Sequence, residues 1–255
     1  MSEHESNELR SLCNVIGSPI DKLSWSSALS RISVWAELGK SSYVCICNAH
    51  SVVTARQCSE FREVIRAADM ATPDGAPVAW LMRRTGALGQ ERINGPDLMW
   101  RYCIDAADRG EPIYLYGGSQ STLDILNKLL PEKIPGLKIA GSYSPPFREL
   151  TEEEDADVVR AINQSGAKTV WVSLGCPKQE RWMAAHRGRV HAVMIGVGAA
   201  FDYHAGVIKR APLWMQHNGL EWLHRLCSEP RRLFKRYVTT NTMFIFYAIR
   251  QLLNI

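Results

Sequence analysis

The sequence predicts an α/β protein: a Rossmann-like, mainly parallel sheet flanked by helices, with a C-terminal helical appendage. Three observations predict this fold. The chain has 255 residues, of which 46% are hydrophobic and 22% charged, as in a globular domain with a sizeable core. Up to about residue 208, short runs rich in Val and Ile alternate with helix-length segments, which is the pattern of βαβ units. Beyond that residue the chain reads as helix alone.

Five segments are predicted to be strands because they are short, apolar and followed by glycine or a polar turn. They cover residues 43–48, 112–116, 137–140, 168–174 and 191–197. The helices predicted between them cover about 52–68, 76–84, 96–109, 119–130, 151–165 and 177–187. Two of these helices have clear start residues, since Thr151 with Glu154 makes a capping box and Ser119 is placed to cap.

The last fifth of the chain differs from the rest in charge. Residues 209–255 contain 8 Lys and Arg against 2 Asp and Glu, whereas residues 1–208 contain 22 against 24. We therefore divide the chain into an α/β body, 1–208, and a basic amphipathic helical appendage, 209–255. The first 20 residues are expected to be loosely ordered. A basic tail on a near-neutral body favours an anionic partner, and the alternative is a solvated helix face.

The appendage is predicted to contain a helix over 213–226 and a second helix from about 228 to 253. In the second, one apolar face is formed by Phe234, Val238, Ile245, Ile249 and Leu252, opposite Arg232, Arg236 and Arg250. This layout is typical of a helix that lies on a membrane surface. The competing interpretation is a helix that docks its apolar face on the body or on a partner subunit.

Two glycine turns follow predicted strands, where open α/β sheets bind their ligands. These turns contain Gly117 with Gly118, after the strand at 112–116, and Gly196 with Gly198, after the strand at 191–197. Backbone N–H groups exposed at such turns can hold phosphate oxygens. Glycines also serve ordinary tight turns, so these residues alone leave both interpretations open.

Two further turns carry polar side chains. After the strand at 168–174, Pro177 starts a helix in which Lys178 could meet a phosphate and Gln179 a sugar hydroxyl or a base edge. Asp74 lies in a rigid Pro-Asp-Gly turn, where aspartate is also routine for structural reasons. Spacing alone therefore leaves the role of Asp74 open.

Several classes of protein are excluded. Histidine and cysteine spacing matches no metal site, so we expect no metal and no cofactor. No apolar stretch approaches the ~20 residues that span a bilayer. The polar, acidic first ten residues do not form a secretory signal, which predicts a cytoplasmic protein. The basic tail lacks a nucleic-acid reading motif, so no nucleic-acid partner is expected.

Taken together, these segments resemble the WecG/TagA/CpsF family of glycosyltransferases, glycosyltransferase family 26. The resemblance covers about residues 40–237. It runs through NAH at 48–50, TPDG at 72–75, NGPD at 94–97, YGGS at 116–119, GCPKQE at 175–180, GVG at 196–198, FD at 201–202, KRAP at 209–212, GLEWLHR at 219–225 and EPRR at 229–232.

The resemblance implies an inverting, metal-independent transfer of a sugar from a UDP-sugar to a polyprenyl-diphosphate-linked saccharide. The donors that the family uses are UDP-N-acetylmannosamine, its uronic acid and UDP-glucose. Such enzymes build cell-surface polymers at the cytoplasmic face of the membrane, where the appendage would attach peripherally. Possible self-association is a further expectation. The alternative is a non-catalytic, nucleotide- or membrane-tethered interaction protein on the same fold.

The resemblance also implies roles for individual residues. By the family pattern Asp74 is the general base. Residues expected to bind the donor are Asn48, Asn94, Gly117, Gly118, Lys178, Gln179, Gly196, Gly198 and Asp202. Residues expected to meet the leaving group or the acceptor diphosphate are Arg225, Arg232, Lys235 and Arg236. Ile46 stands where the family often has Thr, so a hydroxyl contact to the donor is lost or a different sugar is accommodated.

Overall fold

The computed structural model describes residues 10–254, with the side chains of His217 and Arg232 excepted. Its strands are β1 (Leu12–Val15), β2 (Ser18–Asp21), β3 (Ser42–Cys47), β4 (Met70–Pro73), β5 (Pro112–Gly117), β6 (Lys138–Tyr143), β7 (Thr169–Ser173) and β8 (Val193–Gly196). The last six form one sheet in the order β4-β3-β8-β7-β5-β6. Every neighbouring pair in it is parallel. The predicted Rossmann-like fold class is therefore confirmed.

Helices cover both faces of this sheet. They are α1 (Trp25–Glu37), α2 (Ala49–Gln57), α3 (Ser59–Ala67), α4 (Ala76–Arg84), α5 (Gly95–Asp108), α6 (Gln120–Lys133), α7 (Glu152–Gln164), α8 (Lys178–His186), α9 (Ala200–His204), α10 (Leu213–His217), α11 (Glu221–Ser228) and α12 (Pro230–Leu252). Strand β7 shows how the layers are divided, because Val170 and Val172 enter one buried cluster and Trp171 the other. Alternate residues of a strand point to opposite faces, so a strand covered on both sides is apolar throughout.

The N-terminal region is better ordered than expected. Strands β1 and β2 form an antiparallel hairpin closed by Ile16 and Gly17, both at positive φ. Asp21, buried at the hairpin end, is bound by Arg10 and accepts a hydrogen bond of 2.7 Å from the backbone of Ala71 in β4. The expectation of a loosely ordered segment is therefore wrong for residues 12–20, whose hairpin is anchored to the sheet. Residues 1–9 lie outside the described part of the chain.

Several element boundaries differ from the predictions for local reasons. The helix predicted over 52–68 is two helices, because Cys58 adopts an extended conformation between α2 and α3. The helix predicted over 213–226 is likewise α10 and α11, separated by Gly219 at a φ of +70°. Strand β4 and helix α1 were not predicted. A four-residue strand that ends in proline gives little pattern to read.

Helix α12 packs on the body but leaves its predicted apolar face exposed. Leu233, Phe244 and Ala248 are buried, and the last two enter the same cluster as α2 and α8. The predicted face keeps between 38% and 62% of each side chain exposed, at Phe234, Val238, Ile245, Ile249 and Leu252. Within residues 10–254 no helix is long and apolar enough to cross a bilayer. The division of the chain at residue 208 stays a prediction.

We predict that Gly117→Ala destabilises the fold more than Gly39→Ala. Both glycines have a positive φ, but a Cβ at Gly117 would collide with the Ser173 carbonyl, whereas one at Gly39 meets nothing within 4 Å. The left-handed backbone costs alanine about 1–2 kcal/mol at Gly39, whereas Gly117, at a φ of +104°, has backbone strain and also a collision that adds about 1–3 kcal/mol. Urea unfolding measures the free energy of unfolding of each variant. Equal decreases in the two variants would contradict the close approach of β5 and β7.

Candidate active site

A cavity of about 1800 Å³ opens at the carboxyl ends of the parallel strands. Strands β5 and β7 are neighbours, yet β5 leads through α6 outward to β6 and β7 leads through α8 the other way to β8. Such a reversal is where open α/β sheets bind ligands. Ten of the predicted site residues line this cavity: Asn48, Asp74, Gly118, Lys178, Gln179, Gly196, Gly198, Asp202, Arg225 and Arg236.

Asp74 lines this cavity from the turn between β4 and α4. Its backbone N–H donates to the carbonyl of Cys47 at 2.9 Å, which fixes the turn against the end of β3. Gly75 continues the turn at a φ of +85° and caps α4. The Asp74 side chain is 19% exposed, and its Oδ1 accepts a hydrogen bond from Nε of Arg92 at 3.2 Å. A carboxylate is thereby held at the cavity by one cation.

Burial raises the pKa of Asp74 above the ordinary aspartate value, and the charge of Arg92 works in the opposite direction. A carboxylate with a raised pKa is a stronger base than a free one, because its charged form is less well solvated. The guanidinium of Arg92 keeps its proton, since Asp74 and Glu221 raise its pKa against the effect of desolvation. The turn thus holds a basic carboxylate next to a permanent cation.

Arg92 joins the α/β body to the C-terminal helices. Its Nη2 donates to Glu221 of α11 at 2.6 Å, while its Nε is bonded to Asp74. Glu221 also lies 3.8 Å from Nε of Arg210, whose Nη2 donates to Asp97 of α5 at 2.9 Å. Charges of alternating sign therefore follow one another in the order Asp74, Arg92, Glu221, Arg210 and Asp97. Sequence reasoning missed this network because Arg92 and Glu221 are 129 positions apart.

Asn48 and Gln179 both line the cavity, and both also support its walls. Asn48 caps α2, with its Oδ1 accepting from the backbone of His50 at 3.0 Å. Gln179 is buried, its Oε1 accepts from the Gly198 backbone at 3.1 Å, and its Nε2 donates to Glu180 at 2.9 Å. The amide of Gln179 thus holds the glycine turn after β8 against α8.

Glu180 is a buried carboxyl group in this wall. Its side chain is bonded through Oε1 to Gln179, and burial raises its pKa to about 6. No described residue donates to its Oε2. The carboxyl group orients the Gln179 amide from inside the protein.

Three predicted residues lie away from the lining of the main cavity. Asn94 is buried as the cap of α5 and accepts from the backbone of Asp97 at 3.0 Å, while its neighbours Gly95 and Pro96 line the cavity. Gly117 lies at the end of β5, where it contacts β7. Lys235 lines a second cavity of about 400 Å³ with His50. The roles predicted for these residues remain predictions.

Three of the cationic side chains predicted to bind phosphate groups line the cavity. Lys178 is the exposed first residue of α8, and the C-terminal helices contribute Arg225 and Arg236. The Arg225 guanidinium lies 5.9 Å from the ring centre of Tyr203, and that of Arg236 lies 5.5 Å from the ring of Tyr237. The Arg232 side chain lies outside the described residues. The arrangement suits an anionic ligand beside a carboxylate base.

The chain matches a described family of enzymes. The model of the glycosyl transferase WecG/TagA/CpsF family covers residues 13–255. That range contains the six-stranded sheet, the turn with Asp74 and the helices α10 to α12. Many unrelated enzymes share the fold of the sheet. The match also includes the C-terminal helices that line the cavity, so it does not rest on the sheet alone.

We predict that Arg92→Gln raises the pKa of Asp74 further. The neutral amide keeps a polar contact but removes the charge that stabilises the carboxylate, so protonation becomes easier. Carboxyl-carbon NMR titration of labelled aspartate measures the shift. Arg160→Gln is the matched control, because Arg160 pairs at the surface with Asp157. An unchanged or lower pKa in the Arg92 variant would contradict the pairing.

Proposed function

The chain belongs to the WecG/TagA/CpsF family of glycosyltransferases, and from this membership we propose the reaction that it catalyses. The family acts in the synthesis of cell-surface polysaccharides. The proposed donor is UDP-N-acetylmannosamine, its uronic acid or UDP-glucose. The proposed acceptor is a saccharide linked to polyprenyl diphosphate. Transfer inverts the configuration of the anomeric carbon and uses no metal ion.

The position of Asp74 is the observation that carries this proposal. A partly exposed carboxylate with a raised pKa lines the main cavity and is held by a neighbouring cation. As base, Asp74 accepts the proton of the acceptor hydroxyl while that oxygen forms a bond to the anomeric carbon. The bond from this carbon to the UDP oxygen breaks in the same step, and its electron pair leaves with UDP. One base on the face opposite UDP is sufficient for inversion.

The leaving diphosphate needs positive charge as its bond breaks. We assign that task to Lys178, Arg225 and Arg236, which line the cavity from two sides. The N-terminus of α8, where Lys178 lies, adds the favourable end of a helix dipole. Arg232 and Lys235 are proposed to meet the acceptor diphosphate on the basis of the family resemblance.

The acceptor's lipid tail accounts for the exposed face of α12. Ile245 and Ile249 belong both to this face and to the lining of the cavity. An apolar surface that continues into the site would let a lipid-linked sugar reach Asp74 without leaving the membrane. We therefore propose that the protein works peripherally at the cytoplasmic face, with cationic side chains of α12 near anionic headgroups.

We predict that Asp74→Asn abolishes transfer while UDP affinity stays within a few-fold of the wild type. The amide keeps the shape of the turn but cannot take the proton. The measurement is UDP release from a panel of UDP-sugars with EDTA present and a synthetic polyprenyl-diphosphate sugar as acceptor. Asp157→Asn, an exposed site on α7, is the control.

Equal loss of UDP binding in a folded Asp74 variant would indicate a structural aspartate instead. No UDP release by the wild type from any donor, with a competent acceptor, would favour the non-catalytic interaction protein.

We predict that the double variant Phe234→Asn, Val238→Asn binds anionic vesicles at least about tenfold more weakly. Both side chains are more than half exposed, and burying each one in a membrane contributes about 1.5–3 kcal/mol. Vesicle co-sedimentation measures the change, and Ile104→Asn with Ile125→Asn is the control, because both lie exposed on α5 and α6. Unchanged vesicle binding with loss of a dimer would identify this face as a subunit interface.

A further inference from the structure

We propose that Glu221 is a positioning residue that makes the activity of Asp74 depend on the docking of α11. The inference rests on the proposed function, since it takes Asp74 as the base. Glu221 is one of two acidic residues among 209–255, the other being Glu229. An acidic side chain would repel the diphosphates that this basic segment is proposed to bind. The contacts of Glu221 therefore indicate what else it does.

The first contact is the shared guanidinium of Arg92. One of its nitrogens, Nη2, donates to Glu221 at 2.6 Å, and another, Nε, donates to Asp74 at 3.2 Å. The Glu221 side chain is 15% exposed, so its charge is poorly solvated and depends on this partner. Arg92 therefore cannot turn toward Asp74 without losing the shorter of its two bonds.

The second contact does not involve charge. Gly219, two residues before Glu221, has a φ of +70°, and a Cβ placed on it would lie 2.8 Å from the Cβ of Ala76. Ala76 is the first residue of α4 and follows the Asp74-Gly75 turn directly. The turn that begins α11 is thus packed against the turn that carries the base, and only glycine fits there.

Through these two contacts, docking of α11 determines how Arg92 is bonded to Asp74. With α11 docked, Glu221 holds the guanidinium so that Asp74 receives a single bond from it, through Nε. Without the Glu221 carboxylate, Nη2 as well as Nε of Arg92 becomes available to the Asp74 carboxylate, and a bidentate pair forms. That pair would orient the carboxylate toward Arg92 and away from the acceptor hydroxyl. Docking of the C-terminal helices therefore prepares Asp74 to accept a proton.

The ionisable groups around Asp74 allow the pH dependence to be derived. Arg92 faces it from the segment before α5, Glu221 from α11, Tyr203 from α9 and Cys47 from β3. Glu221 raises the pKa of Asp74, whereas Arg92 lowers it. Removing the charge of Glu221 and strengthening the Arg92 pair both lower that pKa. The acidic limb of the rate profile, which follows ionisation of the base, then moves to lower pH.

The test is Glu221→Gln, assayed with the full-length chain. We expect kcat to fall about 100-fold because the base is misoriented, while the donor KM stays within about threefold. The acidic limb of the pH profile moves to lower pH. Glu132→Gln, which removes the same charge from the exposed end of α6, should change none of these quantities. A Glu221 variant with wild-type kcat and an unmoved pH profile would overturn the proposal.

A second variant tests docking while Glu221 stays in place. Gly219→Ala introduces the collision with Ala76 and should lower kcat with little effect on donor KM. Gly166→Ala is the matched control, because its φ of +71° carries the same backbone strain and a Cβ there meets nothing within 4 Å. Equal activity of the two alanine variants would overturn the role of docking.

Hydrogen exchange separates this inference from the proposed function. Glu221→Gln should increase amide exchange in α11 and in the first turn of α4, relative to wild type and to Glu132→Gln. Wild-type protein that transfers no sugar would contradict the proposed function alone, and increased exchange would still support docking through Glu221. Unchanged exchange in both segments would contradict the docking itself, whatever the activity.

Discussion

The site depends on one cation that two carboxylates share. A guanidinium largely removed from water needs anionic partners, and Arg92 has Asp74 at its Nε and Glu221 at its Nη2. Asp74 follows strand β4 of the sheet, and Glu221 begins helix α11. Arg92 can therefore have both partners only when α11 lies against the sheet. Asp74, Arg92 and Glu221 all line the cavity.

The parallel sheet supplies the remaining groups of the site. Because β3 and β4 are neighbours, the turns that follow them bring Asn48 and Asp74 to the same edge. The glycine turn after β8 is held by Gln179, whose amide is in turn bonded to Glu180, and Gly196 and Gly198 of this turn line the cavity. Lys178 of α8 and Arg225 and Arg236 of the C-terminal helices line the same cavity. The sheet and the C-terminal helices thus both contribute residues to the proposed site.

The sequence was most informative where structure is local. Runs of Val and Ile located β3, β5, β6, β7 and β8, and the capping box of Thr151 with Glu154 is confirmed as the start of α7. The N-terminal hairpin and β4 were missed because each strand is four residues long and is specified by contacts with distant partners. Arg92 and Glu221 had no visible pattern, since their pairing joins residues 129 positions apart and exists only in the folded chain. The apolar face of α12 was predicted correctly, but its buried face was not.

The stereochemistry of transfer tests the central claim most directly, namely that a single carboxylate, Asp74, activates the acceptor for one displacement at the anomeric carbon. The measurement is the proton NMR spectrum of the anomeric position in product formed from a UDP-sugar of known configuration. We expect product of inverted configuration from the first turnover onward. Retention of configuration would require a second displacement or attack from the side of UDP, and either would contradict the role assigned to Asp74.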